Sequence, residues 1–265
     1  MASTSITGTF FAQSRIIWTT STRLLQLKTR ESPLGVFSSL IEPLGTILMM
    51  TLVFSTIRMR VPQAGDYLML FFMTGIIAIN VFRQGVSAGE QGYVKLKRTL
   101  GLPHLRPIDL MISGIFTNTL VLISLFLGMT IFFSVVYNAP WPENLILSLA
   151  APICNSFMAV GFASFNLVIK SWFKFWGVIW STLTMPLAIC SGMFYTAESM
   201  PLSVQKYLYY NPILHSTEFV RTVYFSDYNS GFFDPGYYFS WVFGSLVFGL
   251  LLERTFRYRL LNVKQ

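Results

Sequence analysis

Charge is what this sequence has least of. Asp, Glu, Lys and Arg make up 11% of the 265 residues, against about 25% in an ordinary soluble domain. A water-soluble fold of this length would lack the polar side chains to cover its surface, so that class is excluded. Cysteine is nearly absent. Cys154 and Cys190 both sit in apolar runs, which suggests neither a disulfide framework nor a zinc site; they read as small buried hydrophobes. Histidine is as scarce, with His104 and His215 alone. No glycine-rich loop leads into Lys-Ser or Lys-Thr, so the chain carries no phosphate-binding loop of its own. No catalytic residues, no metal site and no cofactor on this chain are expected.

What is present is hydrophobic: 53% of residues, with 16% aromatic. Six apolar runs follow one another, at about 34–57, 67–86, 110–137, 145–169, 176–195 and 237–252. Most reach the roughly 20 residues needed to cross a bilayer as helix. The last is short unless it begins in the aromatic stretch before it. Ahead of them, Met1 to Gly8 has no basic residue and no long apolar core follows, unlike a cleavable signal. Phe10 and Phe11, Ile17 and Trp18, Leu24 and Leu25 recur every seven residues, with Arg15, Arg23, Lys28 and Arg30 between. That pattern fits an amphipathic helix in the membrane surface, or one packed on protein.

The basic residues set the orientation. With both termini inside, the N-terminal group, Lys95, Lys97, Arg98, Arg106, Lys170, Lys174 and the C-terminal group all fall inside. Arg58, Arg60, Lys206 and Arg221 fall outside. The net charge of +8 is therefore a topology signal and not a nucleic-acid footprint. The predicted class is an all-α integral membrane protein with six transmembrane helices. No repeat or linker divides it.

Three places carry polar residues where apolar ones are cheaper. Glu42 and Arg83 each lie within a span near its inner end, where an unpaired charge costs about 2.5–3.5 kcal/mol. The favoured reading is a pair between them; substrate contact or snorkelling are the alternatives. Gln91 to Leu100 reads as a short helix stopped by Gly101 and Pro103, with Val94, Leu96 and Leu100 alternating with Lys95, Lys97 and Arg98. It suits a cytosolic partner, or it merely sets topology. Between the fifth and sixth spans, Ser191 to Pro235 is too polar to cross and too aromatic for a plain loop. Asn211-Pro212 reads as a helix start, dividing it into helices over about 201–210 and 212–225, an outer-side re-entrant hairpin. His215, Glu218 and Arg221 recur at three-residue spacing as a hydrogen-bonded set. The tyrosines and phenylalanines nearby fit an interfacial belt, and some could stack on sugar rings.

Several stretches resemble the membrane subunit of type-2 ATP-binding-cassette exporters, in the capsular polysaccharide branch. They are Arg30-Glu-Ser-Pro-Leu-Gly with Glu42-Pro43, Leu105-Arg-Pro-Ile-Asp-Leu110, Ser191-Gly-Met-Phe-Tyr195, and Asn211-Pro-Ile-Leu-His215 with Glu218 and Arg221. The resemblance runs from about Thr22 to Arg257. It implies an interface segment over 1–33, a transmembrane domain over 34–257 and a cytoplasmic tail over 258–265. It also implies a homodimer in the bacterial inner membrane, bound below to two copies of a cytosolic ATPase that holds ATP and magnesium. The substrate would be a lipid-linked, often acidic polysaccharide, passed to a periplasmic adaptor and an outer-membrane exporter. Tyr93, Val94, Lys95, Leu96, Lys97 and Arg98 would couple to the ATPase, with Lys170 and Lys174 as a second contact. Asn211, Pro212, His215, Glu218 and Arg221 would form the outer gate.

Other readings are an O-antigen or teichoic-acid exporter subunit, an ion-coupled transporter, or a membrane glycosyltransferase. An ion-coupled transporter usually wants acidic or histidine residues near midplane, and spans three to six carry none. A glycosyltransferase needs clustered carboxylates, and the acids here are scattered.

Overall fold

The computed structural model describes residues 14–22, 35–56, 65–98 and 106–262, and the regular structure among them is helical. Residues 14–22 form α1. Then come α2 (Gly35–Thr56), α3 (Leu68–Arg98), α4 (Pro107–Tyr137), α5 (Leu145–Lys170) and α6 (Trp176–Ile189). A 3-10 turn at Ala197–Ser199 leads to α7 (Leu202–Leu208) and α8 (Pro212–Tyr224), and α9 (Pro235–Asn262) closes the described chain. Four helices are long and apolar enough to cross a membrane: Leu68–Val94, Pro107–Tyr137, Leu145–Lys170 and Pro235–Leu260. Leu40–Thr56 and Trp176–Ile189 are apolar but shorter.

Local chemistry starts and stops these helices. Arg106 is extended, Pro107 takes the first helical position, and Asp109 accepts the Arg106 backbone N–H at 3.2 Å. The Arg-Pro-Ile-Asp stretch is thus a capping box that launches α4. At its end Asn138 turns left-handed at φ 52°, a conformation asparagine tolerates. Asn144 opens α5 by accepting the Leu147 N–H at 3.0 Å.

The helix α3 is the centre. Every residue from Leu70 to Phe82 is buried, under α2, α4, α5 and α8. Neighbours in sequence run antiparallel. Phe54 of α2 meets Phe72, with centroids 5.1 Å apart, while Tyr67, just before α3, donates to the Tyr137 carbonyl at 2.9 Å. At the other end of α3, a Cβ on Gly92 would lie 2.6 Å from the Leu110 carbonyl oxygen. On α5 and α9, Gly161 and Gly249 bring the two backbones into direct contact. Among lipids the tails are as apolar as the side chains, so close backbone approach, packing and interhelical hydrogen bonds hold helices together. The glycines are what permit that approach.

Three expectations change. The segment 91–98 is not a separate helix but the unbroken end of α3. Gly89 and Gly92 do not break it because α4 presses on both. The fifth run stops at Ile189, after Pro186, and the chain turns through Gly192 at φ 70°. The sixth begins earlier and ends later than 237–252, running Pro235–Asn262 and past the tail boundary drawn at 257. It starts early because Asp234 accepts the Tyr237 N–H at 3.0 Å ahead of Pro235. Of the heptad pairs at the N-terminus, Phe10, Phe11, Leu24 and Leu25 lie outside the described residues, as do Arg23, Lys28 and Arg30. The described part of that segment, α1, leans on α4 through Trp18 and Phe116 (6.3 Å) and through Ser21 and the Ser113 carbonyl (3.4 Å).

Candidate functional site

The hairpin α7–α8 sits at one end of the bundle and is built around buried charge. Asn211 caps α8 by accepting the Ile213 N–H at 3.0 Å, with Pro212 at the first position. The Asn211 amide also donates to Ser191 Oγ at 3.1 Å, pinning the helix start to the end of α6. One turn on, His215, Glu218 and Arg221 are fully buried. Glu218 accepts the Ala197 N–H at 3.0 Å and the Tyr228 hydroxyl. Arg221 donates to the Tyr195 carbonyl at 2.7 Å and stands 3.6 Å from Glu218. Its Cζ lies 3.8 Å from the centre of the Phe71 ring on α3, a cation–π contact strengthened by desolvation. Burial holds the guanidinium pKa down at about 10, with the Glu218 charge opposing.

His215 is not joined to that pair. Its Nε2 faces the Tyr209 carbonyl at 2.8 Å and its Nδ1 accepts the Asp234 N–H at 3.2 Å. Nδ1 must then be unprotonated, which makes the ring neutral with its proton on Nε2. Burial depresses the His215 pKa, against the Tyr209 carbonyl and the Asp234 and Glu218 charges. The Tyr209 hydroxyl donates to Asp234 at 2.5 Å and holds that carboxyl below its ordinary range. The two groups together staple α7, α8 and the start of α9. Beside them a cleft of about 840 Å³ opens between Gln205, Lys206, Tyr207, Tyr210 and Phe232.

Beneath α8 lies a polar node. The Asn155 amide of α5 donates to the Ala78 carbonyl of α3 at 2.9 Å and to Ser216 Oγ of α8 at 2.7 Å. Its Oδ1 accepts the Tyr238 hydroxyl of α9 at 2.8 Å. One side chain therefore binds four helices. Neither Asn155 nor Tyr238 is marked by the sequence, because a lone asparagine in an apolar run has no local sign of its partners.

At the opposite end, the segment expected to couple to a partner is divided. Tyr93 is buried, Val94 half-buried, and the side chains of Lys95, Leu96, Lys97 and Arg98 lie outside the described set. Lys170 is held by Glu90 of α3, its Nζ donating to Oε2 at 2.5 Å, whereas Lys174 is exposed. Midway along the bundle Arg83 donates to Glu42 Oε1 and to Asn80 Oδ1 at 3.2 Å, and Gln84 donates to Glu42 Oε2 at 3.2 Å. The Arg83 and Glu42 side chains remain 42% and 56% open.

Gly85-Val86-Ser87-Ala88-Gly89 spells Gly-x-Ser-x-Gly, but it lies in uninterrupted helix. A nucleophile elbow needs a strand-to-helix turn, so Ser87 is no such nucleophile. Among the described residues no group of three His, Cys, Asp or Glu side chains is placed to hold a metal ion.

The sequence is similar over most of its length to those of known proteins. The chain is 25% identical over 241 residues to the capsule polysaccharide export inner-membrane protein CtrC of Neisseria meningitidis serogroup A, covering 88% of each. It is 23% identical over 248 residues to the capsule polysaccharide export inner-membrane protein BexB of Haemophilus influenzae, covering 92% of each. To CtrC of N. meningitidis serogroup B it is 23% identical over 260 residues, 96% of this chain and 95% of that one. Residues 15–225, from α1 through the whole hairpin, match the family described as ABC-2 type transporter. That match covers well over half of the sequence, and the chain belongs to the ABC-2 type transporter family.

Proposed function

We propose that this chain is the membrane subunit of an exporter that carries lipid-linked capsular polysaccharide across the bacterial inner membrane. ATP and magnesium would be held by a separate ATPase, two copies of which bind two copies of this chain. The observation that carries the reading is the extent of the likeness to CtrC and BexB, 88% to 96% of the chain. It reaches over the whole helical order and not one shared motif.

In this reading α2, α3, α4, α5, α6 and α9 make six crossings, with both termini in the cytoplasm. The division into an interface segment (1–33), a transmembrane domain (34–257) and a tail (258–265) goes with it. The gathering of Lys and Arg at the end of the bundle away from the hairpin supports that orientation. At 14 residues, α6 spans roughly 21 Å, short of the roughly 30 Å hydrocarbon core. Its crossing would use the turns on either side. At 7 and 13 residues, α7 and α8 are too short to cross, which supports a re-entrant hairpin gating the periplasmic side. Thr184 is the one buried residue of α6, which supports a second copy covering that helix. The end of α3 from Tyr93 to Arg98, with Lys174, would meet the ATPase, while Lys170 braces α3 from within. A periplasmic adaptor and an outer-membrane exporter would complete the route.

The test is complementation of a strain lacking its own permease, with the tagged chain and its neighbouring ATPase. Surface polysaccharide should return and the ATPase should co-purify, and Val94→Asp should lose both while the chain still inserts. An unaltered chain that retains no ATPase and restores no polysaccharide overturns the reading. Cysteines at Ser199 and Thr99 should label from opposite sides of the membrane; labelling from one side overturns the topology.

A further inference from the structure

The most enclosed helix of the bundle is open along one line. Between Leu70 and Val94 the exposed positions of α3 are Arg83, Ser87 and Gln91, and all three are polar. Four-residue spacing puts them on one helical face, and at 1.5 Å per residue they extend over about 12 Å. Elsewhere the open faces of the spans are mostly apolar, as with Leu48, Met49 and Leu52 on α2 or Val135 and Val136 on α4, with lone hydroxyls such as Ser124, Ser181, Thr182 and Ser240 among them. That is the ordinary arrangement against lipid.

The stripe is also internally paired. Gln91 donates to Ser87 Oγ at 3.1 Å. Gln84 and Arg83 both reach Glu42, and Arg83 reaches Asn80. The exposed hydroxyls of α6 are different: Ser181 and Thr182 turn back onto the Val178 carbonyl of their own helix. A charged and amide-bearing face at membrane depth is stable where it borders water or protein, not hydrocarbon.

We propose that Glu42, Arg83, Gln84, Ser87 and Gln91 form a hydrophilic ladder lining the cytoplasmic half of the export path. The ladder rests on the function proposed above and adds the residues that touch the passing chain. Its occupant is the hydroxyl-rich glycan. Amides and hydroxyls both donate and accept, as sugar hydroxyls do, so each rung can exchange its internal bond for one to the polymer. Arg83 and Glu42 neutralise each other, so a moving acidic chain meets no unbalanced positive charge that would trap it. The ladder ends beside Tyr93 and Val94, where the segment proposed to meet the ATPase begins.

Single cysteines at Ser87, Gln91 and Met49, with Cys154 and Cys190 replaced by serine, test this in inverted inner-membrane vesicles. With a membrane-impermeant maleimide, Ser87→Cys and Gln91→Cys should react about tenfold or more faster than Met49→Cys, whose thiol is in an apolar setting. Equal, slow reaction at all three overturns the ladder. So does a spontaneous disulfide between two Ser87→Cys copies without labelling, which assigns the stripe to an interface between copies. In cells, Ser87→Leu with Gln91→Leu should cut surface polysaccharide while the ATPase still co-purifies; full export by that pair also overturns the ladder. Fast labelling in a chain that restores no polysaccharide even unaltered upholds a water-filled path and rejects the capsule reading instead.

Discussion

Lys170 and Glu90 close at 2.5 Å and tie the end of α5 to α3. Their side chains are 25% and 14% exposed, so the pair is neither a loose surface contact nor a fully buried one. Lys170→Ala leaves the Glu90 carboxylate without its partner. The expected loss is roughly 1–3 kcal/mol, between the values for exposed and buried pairs. The double change Glu90→Gln with Lys170→Met should cost less than the two single losses added, as thermal unfolding in detergent would record. Strict additivity would mean the contact contributes nothing.

Glu218 and Arg221 set a steeper case, because both side chains are fully buried. Glu218→Ala strands the guanidinium and should cost about 3–5 kcal/mol. Glu218→Gln keeps an acceptor for the Ala197 N–H and should be milder. Adding Arg221→Met to Glu218→Ala should recover part of the loss in membrane-inserted protein. No recovery would show that Arg221 does not depend on Glu218.

The glycines separate into two kinds, and alanine distinguishes them. A Cβ on Gly128 would meet nothing within 4 Å, so Gly128→Ala should be neutral or gain up to about 1 kcal/mol of helix propensity. On Gly92 the same atom lies 2.6 Å from the Leu110 carbonyl oxygen, and on Gly161 it strikes the Ser245 backbone. Gly92→Ala and Gly161→Ala should lower thermal stability by pushing α3 from α4 and α5 from α9. Equal effects at all three positions would overturn the packing argument.

The hairpin should loosen in acid. The His215 pKa is lowered from 6.5, first by burial, so the closed hairpin holds fewer protons than an open one. Its contribution is complete above 6.5 and drains away as pH falls through the folded value. Asp234, lowered from 3.8 chiefly by the Tyr209 hydroxyl, adds a loss of the same sign at lower pH. The protection of amides at the start of α8, with exchange corrected for its intrinsic dependence on pH, should be lower at about pH 5.5 than at pH 7.5. In His215→Gln that difference should disappear; a difference that survives places the switch elsewhere.

What the sequence made legible was local. Asn211-Pro212 starts a helix by its own chemistry. Glu42 and Arg83 advertise one another because charges inside apolar runs are conspicuous. The same signal went unread at Asp234-Pro235, where another cap and proline start α9. Gly89 and Gly92 carry no sign of their role in the sequence, yet the structure uses them to lay α3 against α4. Their meaning depends on a helix that comes later in the chain. The Glu90 partner Lys170 stands 80 residues away, a pairing that no local pattern announces.

Asn155 has a mechanical consequence. By fastening α3, α5, α8 and α9 through one amide, it opposes the sliding of any one of them against the others. By contrast, α6 packs on α5 through little beyond Trp176 to Asn166 and Trp180 to Phe162, and α2 leaves most of one side uncovered. Those two helices lie outside the Asn155 node. Cross-linking α5 to α9 should therefore leave export running, whereas cross-linking α2 to α3 should arrest it with the ATPase still bound.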